Sequence, residues 1–171
     1  MISSNISCHL SPPIARAKNQ SREKFLEDRK EYFNNNLKRK SVDFEGKPTF
    51  LLFSNLPGDK CFNKFAAGGE NNHTDKKGNL GYDRNRLERL NWIFEILEKI
   101  SKCNLCPQFY KIPDKKYPDR INLNCLYKNY KIIIKIKQKE NYNIIMSAFY
   151  VETDNERKER LKQKRKKKRG K

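Results

Sequence analysis

Residues 130–150, YKIIIKIKQKENYNIIMSAFY, constrain the fold more than any other stretch of the chain. With a period of two, Ile132, Ile134 and Ile136 point to one side while Lys131, Lys135 and Lys137 point to the other, and Ile133 interrupts the pattern. One face is dry and the other cationic. The chain then turns back through KENYN into a second apolar run that closes in Ser147, Ala148, Phe149 and Tyr150. This predicts an antiparallel hairpin with one solvated face. The alternation recurs in INLNCLY, where Ile121, Leu123 and Cys125 oppose Asn122 and Asn124.

The strand candidates PQFYKIP, INLNCLY, YKIIIKIKQK and YNIIMSAFYVE follow one another, joined by turns that include DKKYPDR and KN. Ahead of them, DRNRLERLNWIFEILEKISK predicts a helix over 83–102 with Asp83 as N-cap. Leu87, Leu90, Ile93, Phe94, Leu97 and Ile100 form a wide apolar stripe at helical spacing. Arg86 and Arg89 project inside that stripe, while Arg84, Glu88, Asn91, Glu95 and Glu98 lie opposite. Two guanidinium groups on the buried side are either snorkelling past the edge of the core or placed there for a purpose. Further upstream, Ser21 caps a short amphipathic helix carrying Phe25, Leu26, Arg29, Tyr32 and Phe33, which the Asn run 34–36 ends. PTFLLFS is a lone strand candidate, and 57–82 reads as a long polar connection. The expected organisation is a disordered arm over 1–20, one α+β domain over 21–155 and a basic helical tail over 156–171.

The formal charge of +19 on 171 residues opposes compaction unless an anionic partner or solvent screening offsets it. The final segment RKERLKQKRKKKRGK holds eleven Lys or Arg against one Glu and supplies +10 of that total. RNA is the expected partner. The first residues lack the continuous apolar run, roughly 7 to 15 long, of a secretion signal, and no stretch approaches the ~20 apolar residues of a membrane span. A soluble, cytoplasmic protein with reduced cysteines and no membrane partner is therefore expected. Cys103 and Cys106 have the spacing of a zinc knuckle, which Cys61, His73 or Cys125 could complete. With no second such pair, packing cysteines and no metal or other cofactor are expected.

A solvated sheet face carrying Asn122, Asn124, Lys135, Lys137 and, depending on register, Ser147 suits a phosphodiester backbone. The same lysines could equally serve to keep one side of the sheet soluble. RNRLERLNWIFEILE, followed by short strands and a last strand closing in SAFYV before a Lys-rich end, resembles the phage-associated barnase, EndoU, colicin and RelE-like nucleases over residues 80–165. The resemblance implies helices packed on a four-stranded antiparallel sheet, a metal-independent RNA endonuclease of the toxin or phage-effector kind, and an antitoxin or immunity protein as possible partner. It makes Arg86 and Arg89 the helix arginines and puts Ser147 where Thr is usual. Phe149 then stands where the family pattern has Tyr, and Tyr150 falls on the opposite face unless a bulge intervenes.

RNA carries its own nucleophile, so cleavage by its 2′-hydroxyl needs a general base, a general acid and cations for the developing phosphorane charge. His73 is the candidate for proton transfer, its imidazole alone titrating near neutrality in the domain; a Lys or Tyr is the alternative. Arg86, Arg89, Arg120 and Lys135 are the candidate phosphate ligands, Ser147 would orient a phosphate oxygen, and Lys137, Asn122, Asn124 and Tyr150 would complete the binding face. The rival reading is a non-catalytic basic RNA-binding or ribosome-associated protein, for which the basic face and tail suffice.

Overall fold

A computed structural model describes residues 10–67 and 81–155. His73 and the basic tail from 156 onward, both singled out above, lie outside the described residues.

The protein is α+β, but its sheet has six strands rather than four and is mixed rather than antiparallel. The strands are β1 (Ser41–Phe44), β2 (Lys47–Leu51), β3 (Phe109–Pro113), β4 (Arg120–Cys125), β5 (Tyr130–Lys135) and β6 (Asn143–Tyr150). In space they run β1-β2-β6-β5-β4-β3 and curl into a half-barrel. The additional pair is a hairpin whose turn places Glu45 and Gly46 at φ 54° and 78°. Both centres being positive is what lets a two-residue turn follow the twist of its strands. β2 then joins β6 in parallel, Phe50 facing Ile144 and Leu51 facing Ile145. Asn143 fixes this junction: nearly fully buried, it donates to the Phe44 carbonyl at 3.2 Å and accepts from the Lys137 amide at 3.3 Å.

The expected alternation in β5 is present, with Tyr130, Ile132 and Ile134 buried and Lys131, Ile133 and Lys135 half-exposed. Helices cover the dry side. α1 (Arg22–Asn36) begins at Ser21, whose hydroxyl accepts from the Lys24 amide at 3.0 Å, and ends in the Asn run. It buries Phe25, Arg29 and Phe33, one per turn. The segment 57–82, expected to be a polar connection, contains α2 (Lys60–Ala66), which sinks Cys61, Phe62 and Phe65 beneath α1. Phe62 meets Phe33 edge-on at 5.5 Å.

The single helix expected over 83–102 is broken into α3 (Arg84–Glu88), α4 (Trp92–Glu98) and α5 (Ile100–Cys103). Arg89 leaves helical geometry with ψ 17°, and the Trp92 amide reaches back to the Arg89 carbonyl at 3.0 Å. The face expected to be wet is covered as well, Glu88 and Asn91 being buried. The cover is the segment 10–20, read from sequence as part of a disordered arm. Ser11 donates from its amide (2.8 Å) and hydroxyl (2.6 Å) to the Glu95 carboxylate, and its carbonyl accepts from the Trp92 indole at 2.7 Å. Three residues on, the Ile14 amide donates to the Glu88 carbonyl at 2.8 Å. Polar groups that looked like a solvent face are thus a docking strip for the chain's own early residues.

Candidate nucleic-acid interface

The outer face of the sheet is set by one irregularity. Across β5 and β6, Ile133 pairs with Ser147 but Ile134 pairs with Ile145, so Met146 is an extra residue. In an uninterrupted strand Ser147 would share the side of Ile145 and face the core. The bulge resets the alternation, so that Ile145 and Ala148 are both buried and Ser147 turns outward. There it forms a cross-strand row with Ile133, Asn122 and Ile112. The next row toward the strand end is Phe149, Lys131, Asn124 and Tyr110, and the row on the other side is Ile144, Lys135 and Arg120. The bulge precedes Ser147, so it does not bring Tyr150 to the outer face. Tyr150 pairs with Tyr130 on the inner one.

The two arginines meet this closing strand at its edge. Beyond Ile145, no described strand pairs with β6 on the side away from β5. Arg86 lies across that edge. Its Nη1 donates to the Ala148 carbonyl at 3.3 Å, and its guanidinium carbon sits 5.0 Å from the centre of the Phe149 ring. Burial presses the Arg86 pKa downward, against the charge of Asp83 and the nearby phenol of Tyr130. Arg89 stays on the inner side, 4.6 Å from the Tyr150 ring and 5.2 Å from that of Trp92. Its Nη1 donates to the carbonyl and side chain of Asn85 at 3.1 Å each, while its Nε is buried without a partner. The hydroxyl of fully buried Tyr130 donates to the Arg89 carbonyl at 3.3 Å, and burial drives its pKa well above the ordinary phenol range despite both arginines.

The remaining sequence candidates are present on the outer face but mostly engaged. Lys135 pairs with Asp119 at 3.0 Å and Lys137 with Glu140 at 2.9 Å. Arg120 stacks 3.8 Å from the centre of the Tyr117 ring, its Nε buried without a partner. Asn122 is nearly buried; its amide donates to Asp114 at 3.1 Å, a bond that holds the Asp114 carboxyl below its usual range, while its Oδ1 has no partner. Asn124 donates to the Asn122 carbonyl at 3.2 Å. The loop 114–119 therefore folds its own carboxylates over one end of the face. No hydrogen bond joins Ser147 to either arginine among the described residues.

The two arginines of the sequence reading both reach the closing strand, but on different sides of it. Lys131 and Phe149, which that reading did not place among the candidate site residues, share the outer face. Lys131 shares a row with Asn124 and Phe149 and makes no ion pair among the described residues. Its alternation with Ile132 was the available signal.

Among the described residues, no group of three or more His, Cys, Asp or Glu is placed to hold a metal ion. Cys61 and Cys125 are buried in separate elements, and burial pushes the Cys61 thiol up to about 12. No described helix is long and apolar enough to cross a membrane. Compared with protein-family models, with curated proteins and with solved structures, the chain matches none.

Proposed function

We propose that the protein binds RNA on the outer face of the sheet and cleaves it there, without a metal, by attack of the RNA's own 2′-hydroxyl. The observation that carries this is the bulge at Met146, which turns Ser147 out into the row that Ile133 and Asn122 continue, while Arg86 crosses the free edge of the same strand to reach Phe149. A hydroxyl, an amide and two cations, Arg86 and Lys131, then border one patch about two residues of strand long and two strand spacings wide, or roughly 7 by 10 Å. That scale suits a single ribose-phosphate. In this reading Ser147 and Asn124 orient phosphate oxygens, Arg86 and Lys131 neutralise developing charge, and His73 moves the proton. Such an enzyme would act in the cytoplasm and call for an antitoxin or immunity protein to keep it in check.

A second reading, an RNA-binding protein without catalysis, is favoured by the commitments already made within the fold. Arg86 is hydrogen-bonded to a backbone carbonyl, and Lys135 and Lys137 are ion-paired. End-labelled RNA incubated with the purified protein in EDTA separates the two. Products ending in 2′,3′-cyclic phosphate, reduced at least about tenfold by His73→Ala, support the enzyme. Intact RNA that shifts on a native gel supports the binder, and RNA that neither shifts nor breaks removes both.

A further inference from the structure

The outer face does not stop at β6. The row Ile144, Lys135 and Arg120 continues into β2 through Phe50, the parallel partner of Ile144. Beside Phe50 stands Tyr142, its ring meeting that of Phe50 edge-on at 6.4 Å and 69°. Both aromatics are half-exposed, and together with Ile144 and Leu56 they line a cleft of about 450 Å³ beneath the loop that follows β2. On its far side the same loop borders a second hollow, which shares Phe50 and Leu56 and is lined by Lys38 and Arg39. Lys38 is fixed by donating to the Gly58 carbonyl at 2.8 Å, whereas Arg39 is exposed.

The loop that forms this cleft is built at a cost. Phe53 sits at φ 67°, a left-handed conformation that disfavours a bulky side chain. It is held there by the Ser54 amide bonding to the Leu51 carbonyl at 3.0 Å and by Lys60 lying 4.5 Å from the Phe53 ring. Lys47 steadies the opposite wall by donating to the Lys137 and Glu140 carbonyls at 2.8 and 2.9 Å.

Two half-exposed rings set edge to face, with Lys137 5.9 Å from the centre of the Tyr142 ring and Lys38 and Arg39 across the loop, suit an unpaired base whose phosphate lies outside. A base offers a flat π-face to an aromatic side chain only when it has left a duplex. An apolar peptide would use the rings but not the cations, and a duplex would use the cations but not the rings. We propose that the Phe50–Tyr142 cleft holds an unpaired nucleobase, and hence that the RNA engaged by this protein is single-stranded. The inference rests on the RNA reading above and specifies its substrate class. From Ile144 to Phe149 the surface spans Lys135 to Lys131 on the partner strand, four residues or about 13 Å at ~3.3 Å per residue, since the bulged Met146 adds no length. The cleft is thus a separate subsite on the same surface as Ser147 and Arg86.

The test uses an RNA oligonucleotide of about ten residues carrying 2-aminopurine, offered single-stranded and as a duplex to the full-length protein. The double substitution Phe50→Leu with Tyr142→Leu keeps the cleft apolar and removes stacking. The expected result is a change in 2-aminopurine emission on binding, tighter binding of the single strand, and about tenfold weaker single-strand binding by the variant with duplex binding unaltered. Wild-type and variant proteins binding the single strand alike would overturn the cleft assignment and leave the outer-face reading standing. No RNA binding by the wild type would overturn both. If the double variant fails to fold, photocrosslinking of the wild type to a 4-thiouridine oligonucleotide decides the matter. An adduct mapped to Phe50 or Tyr142 supports the cleft. Adducts elsewhere only, or a dimer in solution that protects Tyr142, overturn it.

Discussion

The Arg89 guanidinium rests 4.6 Å from the centre of the Tyr150 ring, joining the end of α3 to the last strand of the sheet on its inner side. The Trp92 ring lies 5.2 Å from the same guanidinium, so a charge that the sequence offered as a phosphate ligand is held between two aromatic faces. Partly shielded cation–π contacts contribute about 0.5–2 kcal/mol. A double-mutant cycle on Arg89→Ala and Tyr150→Ala, read by urea denaturation, is expected to give a coupling of about 1 kcal/mol. Strict additivity would mean that the stacking carries no stability.

Arg86 has a structural duty besides any catalytic one. Arg86→Ala is expected to lose about 1–3 kcal/mol of unfolding free energy, because the Ala148 carbonyl loses its donor and a space opens beside Phe149. Chemical denaturation with an unchanged m-value checks this. Loss of RNA cleavage in that variant must therefore be measured well below its midpoint, and stability equal to wild type would show the hydrogen bond to be idle.

Ser147 is the cleaner probe. It is half-exposed and its hydroxyl makes no hydrogen bond among the described residues, so Ser147→Ala is expected to leave stability within about 0.5 kcal/mol of wild type. Under the cleavage reading it lowers turnover at least about tenfold, and Ser147→Thr restores it. Full activity in the alanine variant would remove Ser147 from the site.

The docking of residues 10–20 gives stability a pH dependence. Burial tends to raise the Glu95 pKa, but the hydrogen bonds from Ser11 and Asn91 prevail and the pKa lies below its ordinary value. A depressed carboxyl contributes stability that is fully present above the unfolded value, about 4.3, and is lost as pH falls through the folded one. Glu95→Gln is expected to lower the melting temperature at pH 7 and to flatten its decline between about pH 5 and 3. Parallel melting curves for the two proteins across that window would contradict this.

For the basic end, deletion of residues 162–171 removes eight Lys or Arg. It is expected to weaken RNA binding at low salt, to make the dependence of log K on log salt shallower, and to leave the position of any cut unchanged, since phosphate neutralisation carries no sequence information. Titration at several salt concentrations measures the first two, and product mapping the third.

What was legible in the sequence follows from how local each signal is. β5 could be read because Ile132, Ile134 and the flanking lysines obey a period of two without help from elsewhere. The Ser21 cap was equally local. The β1–β2 hairpin went unseen because its turn uses Glu45 before Gly46, where Asn or Asp is the usual signal. The single long helix was wrong for a tertiary reason. Glu88, Asn91 and Glu95 looked solvated because nothing near them in sequence announces that Ser11 and Ile14, some eighty residues away, will bond to them. The orientation of Ser147 depended on a bulge at Met146 that a run of apolar residues conceals.

The side chain lying over the open edge of β6 also bears on how these molecules behave in a crowd. A bare strand edge invites another chain to extend the sheet, and natural proteins commonly blunt such edges with charge. Here a half-buried guanidinium takes the carbonyl that an incoming backbone would need. Removing it would open the molecule to edge-to-edge polymerisation, so concentrated preparations of that variant should thicken or cloud long before they unfold.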